Sequence, residues 1–172
     1  MKIKTLLVLS FVFCISSDFY AQSISLGPQL GFVKSTDADQ TSLMPGVAAR
    51  LSLLSFGIEG AIYYKSENFE NGLVKTTSYP VNITLLWKIL PLFHAEGGIG
   101  WYSTKIDDSN ILEAVRNETK SNTGYHIGAG IELPLSGIIL TADVRYVFLN
   151  IGSVANFKSD FTVVFIGALF TL

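Results

Sequence analysis

From residue 23 onward, apolar and polar side chains alternate with period two in eight runs, near 23–35, 43–54, 55–65, 75–88, 91–104, 122–134, 137–149 and 158–172. Period two is the repeat of an extended strand, whose successive side chains point to opposite faces. Runs of about 10 residues or slightly more are what a tilted strand needs to cross an outer membrane. The fourth run is the plainest, with Tyr79, Val81, Ile83, Leu85 and Trp87 on one face and Pro80, Asn82, Thr84, Leu86 and Lys88 on the other. The last run is apolar on both faces. Val164, Ile166, Ala168, Phe170 and Leu172 are the favoured lipid set there; Phe161, Val163, Phe165 and Leu169 are the other set, and a bulge near Phe165 allows each in turn.

Connections alternate too. Leu54-Ser55, Ile89-Leu90-Pro91 and Leu135-Ser136-Gly137 are short, whereas 36–42, 66–74, 105–121 and 150–157 are longer and polar. Tight turns at one end and long loops at the other belong to an up-and-down barrel with both termini at the tight end. The expected fold is therefore all-β: an eight-stranded antiparallel up-and-down transmembrane β-barrel, with its termini in the periplasm.

Which face meets lipid follows from the aromatic and charged positions. On the apolar face, Phe32, Tyr64, Tyr79, Trp101, Tyr125, Tyr146 and Phe148 gather near the long loops, and Phe56, Trp87 and Phe93 near the short turns. Two aromatic girdles around an aliphatic band mark the two interfaces of a bilayer. The opposite face carries Gln29, Arg50, Glu59, Glu96, Glu132, Asp143 and Arg145, several in mid-strand. Charge turned to lipid at that depth costs several kcal/mol, so this face belongs in the lumen. Centring the second hairpin on Leu54-Ser55 puts Arg50 opposite Glu59 as an ion pair. Excess negative charge remains, for Lys65, Lys88, His94, His126 or a protonated acid to offset. A soluble barrel carrying an apolar ligand would need the faces exchanged.

Composition agrees with lipid. Only 15% of residues are charged and 49% are hydrophobic, where a soluble protein carries roughly 25% charge. No stretch after the leader reaches the ~18 consecutive apolar residues of a membrane helix. In the leader, Lys2 and Lys4 precede the apolar run Leu6 to Ile15, and a polar stretch ends at Ala21-Gln22, the three regions of a secretory signal peptide. The expected division is a signal peptide at 1–21 and one barrel domain at 22–172. Of 12 basic and 14 acidic residues, removal of Lys2, Lys4 and Asp18 leaves 10 against 13. The single cysteine, Cys14, leaves with the leader, so no disulfide is expected, and the balance gives no footing for nucleic acid.

The leader ending Tyr20-Ala21-Gln22, the eight alternating strands, the two girdles and a final strand closing in Phe170-Thr171-Leu172 resemble the small outer-membrane β-barrel family that includes the OmpA transmembrane domain and OmpX. The resemblance covers essentially the whole chain after the leader. It implies an integral place in the cell outer membrane after export, contact with outer-membrane lipid, and recognition of the last strand by the barrel-assembly machinery. Family members usually end on an aromatic residue; here Leu172 is last and Phe170 stands two before it. The family's peptidoglycan-binding activity belongs to a domain beyond the barrel and is not carried over.

Catalytic chemistry is weighed and set aside. His94 with Glu96, and His126 with Arg145 across a hairpin, suit acid–base work, but neither has an assignable serine nucleophile. The glycines of Gly97-Gly98-Ile99-Gly100 and Gly128-Ala129-Gly130 sit in mid-strand with no helix after them, so they relieve crowding or permit curvature and do not bind phosphate. Asp107-Asp108-Ser109-Asn110 is read as a solvated loop, not a calcium site. A helical turn is possible over Ile111 to Glu118. No catalytic residue, metal or cofactor is expected. The leading function is a non-enzymatic surface barrel, structural or adhesive, whose loops meet an unidentified outside partner. A narrow gated pore through the charged lumen, a lipid-modifying enzyme and a soluble lipocalin-like carrier are the alternatives.

Overall fold

A computed structural model describes residues 23–35, 41–69, 74–108, 119–150 and 160–172. The expected signal peptide, the turn over 111–118 and most of the loop at 150–157 lie outside them. The strands are β1 (Ser23–Ser35), β2 (Ser42–Leu53), β3 (Phe56–Tyr63), β4 (Lys65–Phe69), β5 (Val74–Leu90), β6 (Phe93–Asp108), β7 (Thr119–Leu135), β8 (Ile138–Asn150) and β9 (Phe161–Thr171). Sequence neighbours pair antiparallel except β3 and β4, which both pair with β5, and β1 pairs with β9, closing the sheet. β3 and β4 are one strand broken at Tyr64, since both pair with β5 in one continuous register. The Tyr64 amide meanwhile donates to the Pro45 carbonyl of β2. The barrel therefore has eight strands. No helix among the described residues is long and apolar enough to cross a membrane.

Closure explains the pattern of side chains. A sheet rolled upon itself has an inside and an outside, so alternate residues enter the lumen or the outer wall, the β5–β6 register shifting between Lys88 and Leu90 at the tight end. Outside stand Ile24, Leu26, Val47, Ile58, Ile62, Ile83, Leu85, Ile127, Leu133 and Val144, all exposed. No water-soluble protein shows so continuous an apolar belt, and lipid is the solvent it fits. The soluble-carrier arrangement is thus inverted here: the apolar face looks out.

The last strand resolves to one register. Val164, Ile166 and Phe170 are exposed, and Phe161, Val163, Phe165 and Leu169 are buried, with no bulge in the pairing to β8. Its inward residues pack with Val33, Met44, Ala48, Ala61, Tyr63, Tyr102 and Val147 into an apolar plug. Tyr63 and Phe165 lie 4.8 Å apart centre to centre, and Tyr102 meets Phe161 edge-on at 6.0 Å. A strand that faces lipid outside and this plug inside has to be apolar on both sides.

One expectation needs correction. Residues 66–69, 105–108 and 119–121 are strand, not loop: β5 runs 17 residues and β6 16, and their ladder continues to Val74 opposite Asp108. The backbone goes on pairing beyond the girdle. At about 3.3 Å per residue, the five positions from Tyr79 to Val74 carry the sheet some 16 Å past the aromatic ring. At the tight end, the β2–β3 hairpin closes on Leu54-Ser55 with Leu54 at φ 51°, a left-handed conformation costly for a residue with a Cβ. The β7–β8 turn puts glycine, Gly137, at φ 77° instead.

An outward charge at mid-belt tests the lipid assignment. Ile83 is 48% exposed midway between the girdle residues Tyr79 and Trp87 of β5, and Ile83→Arg should lower folding stability in phospholipid vesicles by about 2–4 kcal/mol. Urea titration followed by tryptophan fluorescence measures it. An unchanged midpoint would mean the belt faces water.

Candidate functional site

The lumen divides along its length. Most of the apolar plug lies nearer the long connections, with Leu169 at the tight end beside Ile139, and the half nearer the short turns also holds a network of ions. Its centre is Glu59, fully buried on β3. Arg50 lies directly opposite on β2 and donates to Glu59 Oε2 from Nε at 3.0 Å and from Nη2 at 2.6 Å. Arg145 reaches from β8 across the barrel and donates from Nη2 to the other Glu59 oxygen at 2.8 Å. Gln29 adds an amide donor at 3.2 Å and accepts a hydrogen bond from the Tyr63 hydroxyl. One carboxylate therefore binds two guanidinium groups that arrive from opposite walls.

Each arginine has a second acid. Arg50 donates from Nη1 to Glu132, and Arg145 donates from Nε to Glu96 at 2.9 Å. Glu132 also takes Lys88 at 2.9 Å, which makes Lys88 the cation that offsets part of the excess acid. Lys65 does something else: its ammonium stands 5.5 Å from the centre of the Phe161 ring. The Arg145 guanidinium lies 4.8 Å from the Phe165 ring centre, so it joins the ionic half of the lumen to the plug.

The reach across β7 depends on two glycines. Gly128 is paired with Glu96 on one side and Arg145 on the other, and Gly130 with His94 and Asp143. A Cβ at Gly128 would come within 2.7 Å of a Glu96 oxygen, and one at Gly130 within 2.7 Å of the His94 ring. Only a strand without side chains at these two points lets β6 and β8 touch over it. The Gly128-Ala129-Gly130 run is thus the opening that makes two non-adjacent strands electrostatic partners.

His94 lies in the lumen with Glu96 as expected, whereas His126 takes a different partner from the one expected. His126 is opposite Val147, not Arg145, and its Nε2 is 2.9 Å from the Thr84 hydroxyl. That hydroxyl neighbour was not foreseen, because Thr84 lies on β5, two strands away. Both residues are buried. His94 Nε2 stands 3.0 Å from Asp143 Oδ1, and its Nδ1 stands 3.7 Å from Glu132.

The ten girdle residues all sit on the outer wall, with Phe32 half-buried and the others exposed. Phe56 stacks on Trp87 at 6.5 Å at the tight end, while Tyr64 meets Tyr79 at 5.6 Å and Tyr146 meets Phe148 at 4.8 Å at the other.

No family model and no curated protein sequence matches the chain. Solved structures do. The chain is similar to Ail, the attachment invasion locus protein of Yersinia pestis, at 18% identity and TM-score 0.53, over 88% of this chain and 97% of that one. It is similar to Neisserial surface protein A at 11% identity and TM-score 0.62, over 86% and 94%. A major outer membrane protein of Thermus thermophilus matches at 12% identity and TM-score 0.58, over 88% and 100%. The fold is that of the small eight-stranded outer-membrane β-barrels.

Neutralising the shared acid tests the network. Glu59→Gln leaves two buried guanidinium groups short of a counter-charge and should cost about 3–5 kcal/mol of stability. The double change Arg50→Met with Glu59→Met removes charge of both signs and should cost less than the single change. Urea midpoints of the detergent-folded proteins decide it: an unmoved midpoint in Glu59→Gln would show that the pairing does not hold the lumen.

Proposed function

We propose that this chain is a non-enzymatic integral protein of a Gram-negative outer membrane, structural or adhesive in role, that presents the far end of its sheet outside the cell. The observation that carries the reading is the division of the barrel into an apolar outer wall and, among the described residues, a lumen packed with buried inward side chains. A filled eight-stranded barrel offers neither a wide channel nor a ligand cavity, as its interior is only side-chain wide. What remains available to a partner is the polar extension of β4, β5, β6 and β7 beyond the girdle and the connections between them. The likeness to Ail, a protein named for attachment, favours contact through that end. Burial of His126 and Thr84 inside the lumen speaks against lipid-modifying chemistry there.

The pore reading has one observation in its favour. Arg50 is shared between Glu59 and Glu132, and Arg145 between Glu59 and Glu96, so each arginine has an alternative partner to exchange with. The apolar plug lies in series with this network, however, and an ion would have to pass both.

Orientation and conductance are measurable together. In a Cys14→Ser background, Ser121→Cys should react with a membrane-impermeant maleimide on intact cells, and Ser136→Cys, exposed at a short turn, should react only after lysis. The protein should sediment with outer membranes and migrate faster in SDS gels when unboiled. Planar bilayers holding it should show no resolved openings. Labelling of Ser136→Cys alone would invert the topology, and discrete openings would replace the structural role with a pore.

A further inference from the structure

We infer that His94, Glu96 and Asp143 form a buried site for one divalent transition-metal ion of the zinc kind, although the sequence gives no reason to expect a metal. The inference rests on the geometry of the closed lumen and not on the envelope role, so either can fail without the other.

Three observations converge on it. One ligand atom from each of the three residues lies within 4.8 Å of the other two, and all three residues are buried. Neither oxygen of Asp143, neither ring nitrogen of His94 and not the second oxygen of Glu96 has a hydrogen-bond partner among the described residues. Asp143 is 0% exposed, with the His94 ring 3.0 Å from one of its oxygens and nothing bonded to the other, and a buried carboxylate is strongly disfavoured unless its charge is compensated. Lastly, Gly130 lies beneath the cluster, paired with His94 on one side and Asp143 on the other; a Cβ there would run into both side chains. The bare backbone at Gly130 lets the Asp143 carboxylate and the His94 ring come together over it.

Charge balance points the same way. In this half of the lumen Arg50, Arg145 and Lys88 face Glu59, Glu96, Glu132 and Asp143, one acid more than the strong bases. A proton on His94 would answer Asp143 at one oxygen and leave the second Asp143 oxygen and the free Glu96 oxygen as they are. A cation accepts lone pairs from all three residues together. One nitrogen and two carboxylate oxygens form a mixed donor set that suits zinc and its neighbours, and not the all-oxygen shell that calcium and magnesium prefer. Metal–ligand lengths of about 2.0–2.2 Å require donors about 3–3.5 Å apart, so small rotations of Glu96 and Asp143 complete the site; the His94 to Asp143 separation of 3.0 Å already meets this. Glu132 faces the other imidazole nitrogen, the side from which carboxylates orient metal-binding histidines. Arg145 holds the first Glu96 oxygen at 2.9 Å and so turns the second away from itself.

The test uses the untagged chain extracted in detergent, stripped with a chelator and titrated with Zn²⁺ by calorimetry and with Co²⁺ by visible absorption. One ion per chain is expected, with cobalt bands of nitrogen and oxygen ligation. His94→Gln and Asp143→Asn should each weaken binding about 100-fold or more, in protein whose gel shift on boiling shows a closed barrel. Uptake of no ion below millimolar concentration overturns the inference, as does equal binding by wild type and the folded variants. If neither variant folds, the wild-type titration decides alone: a single site with cobalt bands supports it, and their absence overturns it.

Discussion

Between the two aromatic girdles there is no water to satisfy a backbone amide or carbonyl, and the rest of this structure follows from that constraint. An open sheet would leave two rows of unpaired groups in lipid. Pairing β1 with β9 removes both edges at once, and with eight strands the resulting cylinder is narrow enough for side chains from all walls to meet inside it. Everything that points inward must then pack or pair with what points inward from the other strands. The plug and the ionic network are two answers to one geometric demand, the first built from aromatic and aliphatic surface and the second from charge.

The ionic half shows how charge is accommodated where neither lipid nor bulk water is at hand. Glu59 accepts from Arg50, Arg145 and Gln29, so a single carboxylate gathers groups from β2, β8 and β1 towards β3. Such a cluster is worth little as net stabilisation compared with a well-packed apolar core, but the loss of one member leaves the others stranded. It also selects a register: sliding any of these strands by one residue would send its charged side chain into the bilayer. Gly128 and Gly130 belong to the same arrangement, because they let β6 and β8 meet over β7.

Much of the barrel is legible in the chain. The eight runs, the tight turns and the outward girdles follow from a period of two and from the depth at which aromatic and charged residues occur. The opposition of Arg50 and Glu59 is legible as well, since a two-residue turn at Leu54-Ser55 sets the register of its own hairpin. The strand extensions past the girdle were not, because polar residues in water give no burial contrast from which to read alternation. The double apolarity of the last strand was visible without being interpretable, as its inner partners come from strands far away in sequence.

Local chemistry along the chain determines the strand, its two faces and the hairpin to its neighbour, because the pleat and the turn act over a few residues. Tertiary structure alone decides who meets whom inside. Arg145 finds Glu96 and Glu59, His126 finds Thr84, and His94 finds Asp143, contacts between strands that the hairpin rule does not join. They arise because closure folds the inner face upon itself, and the diameter that brings those side chains within reach is a property of the whole cylinder and of no segment of it.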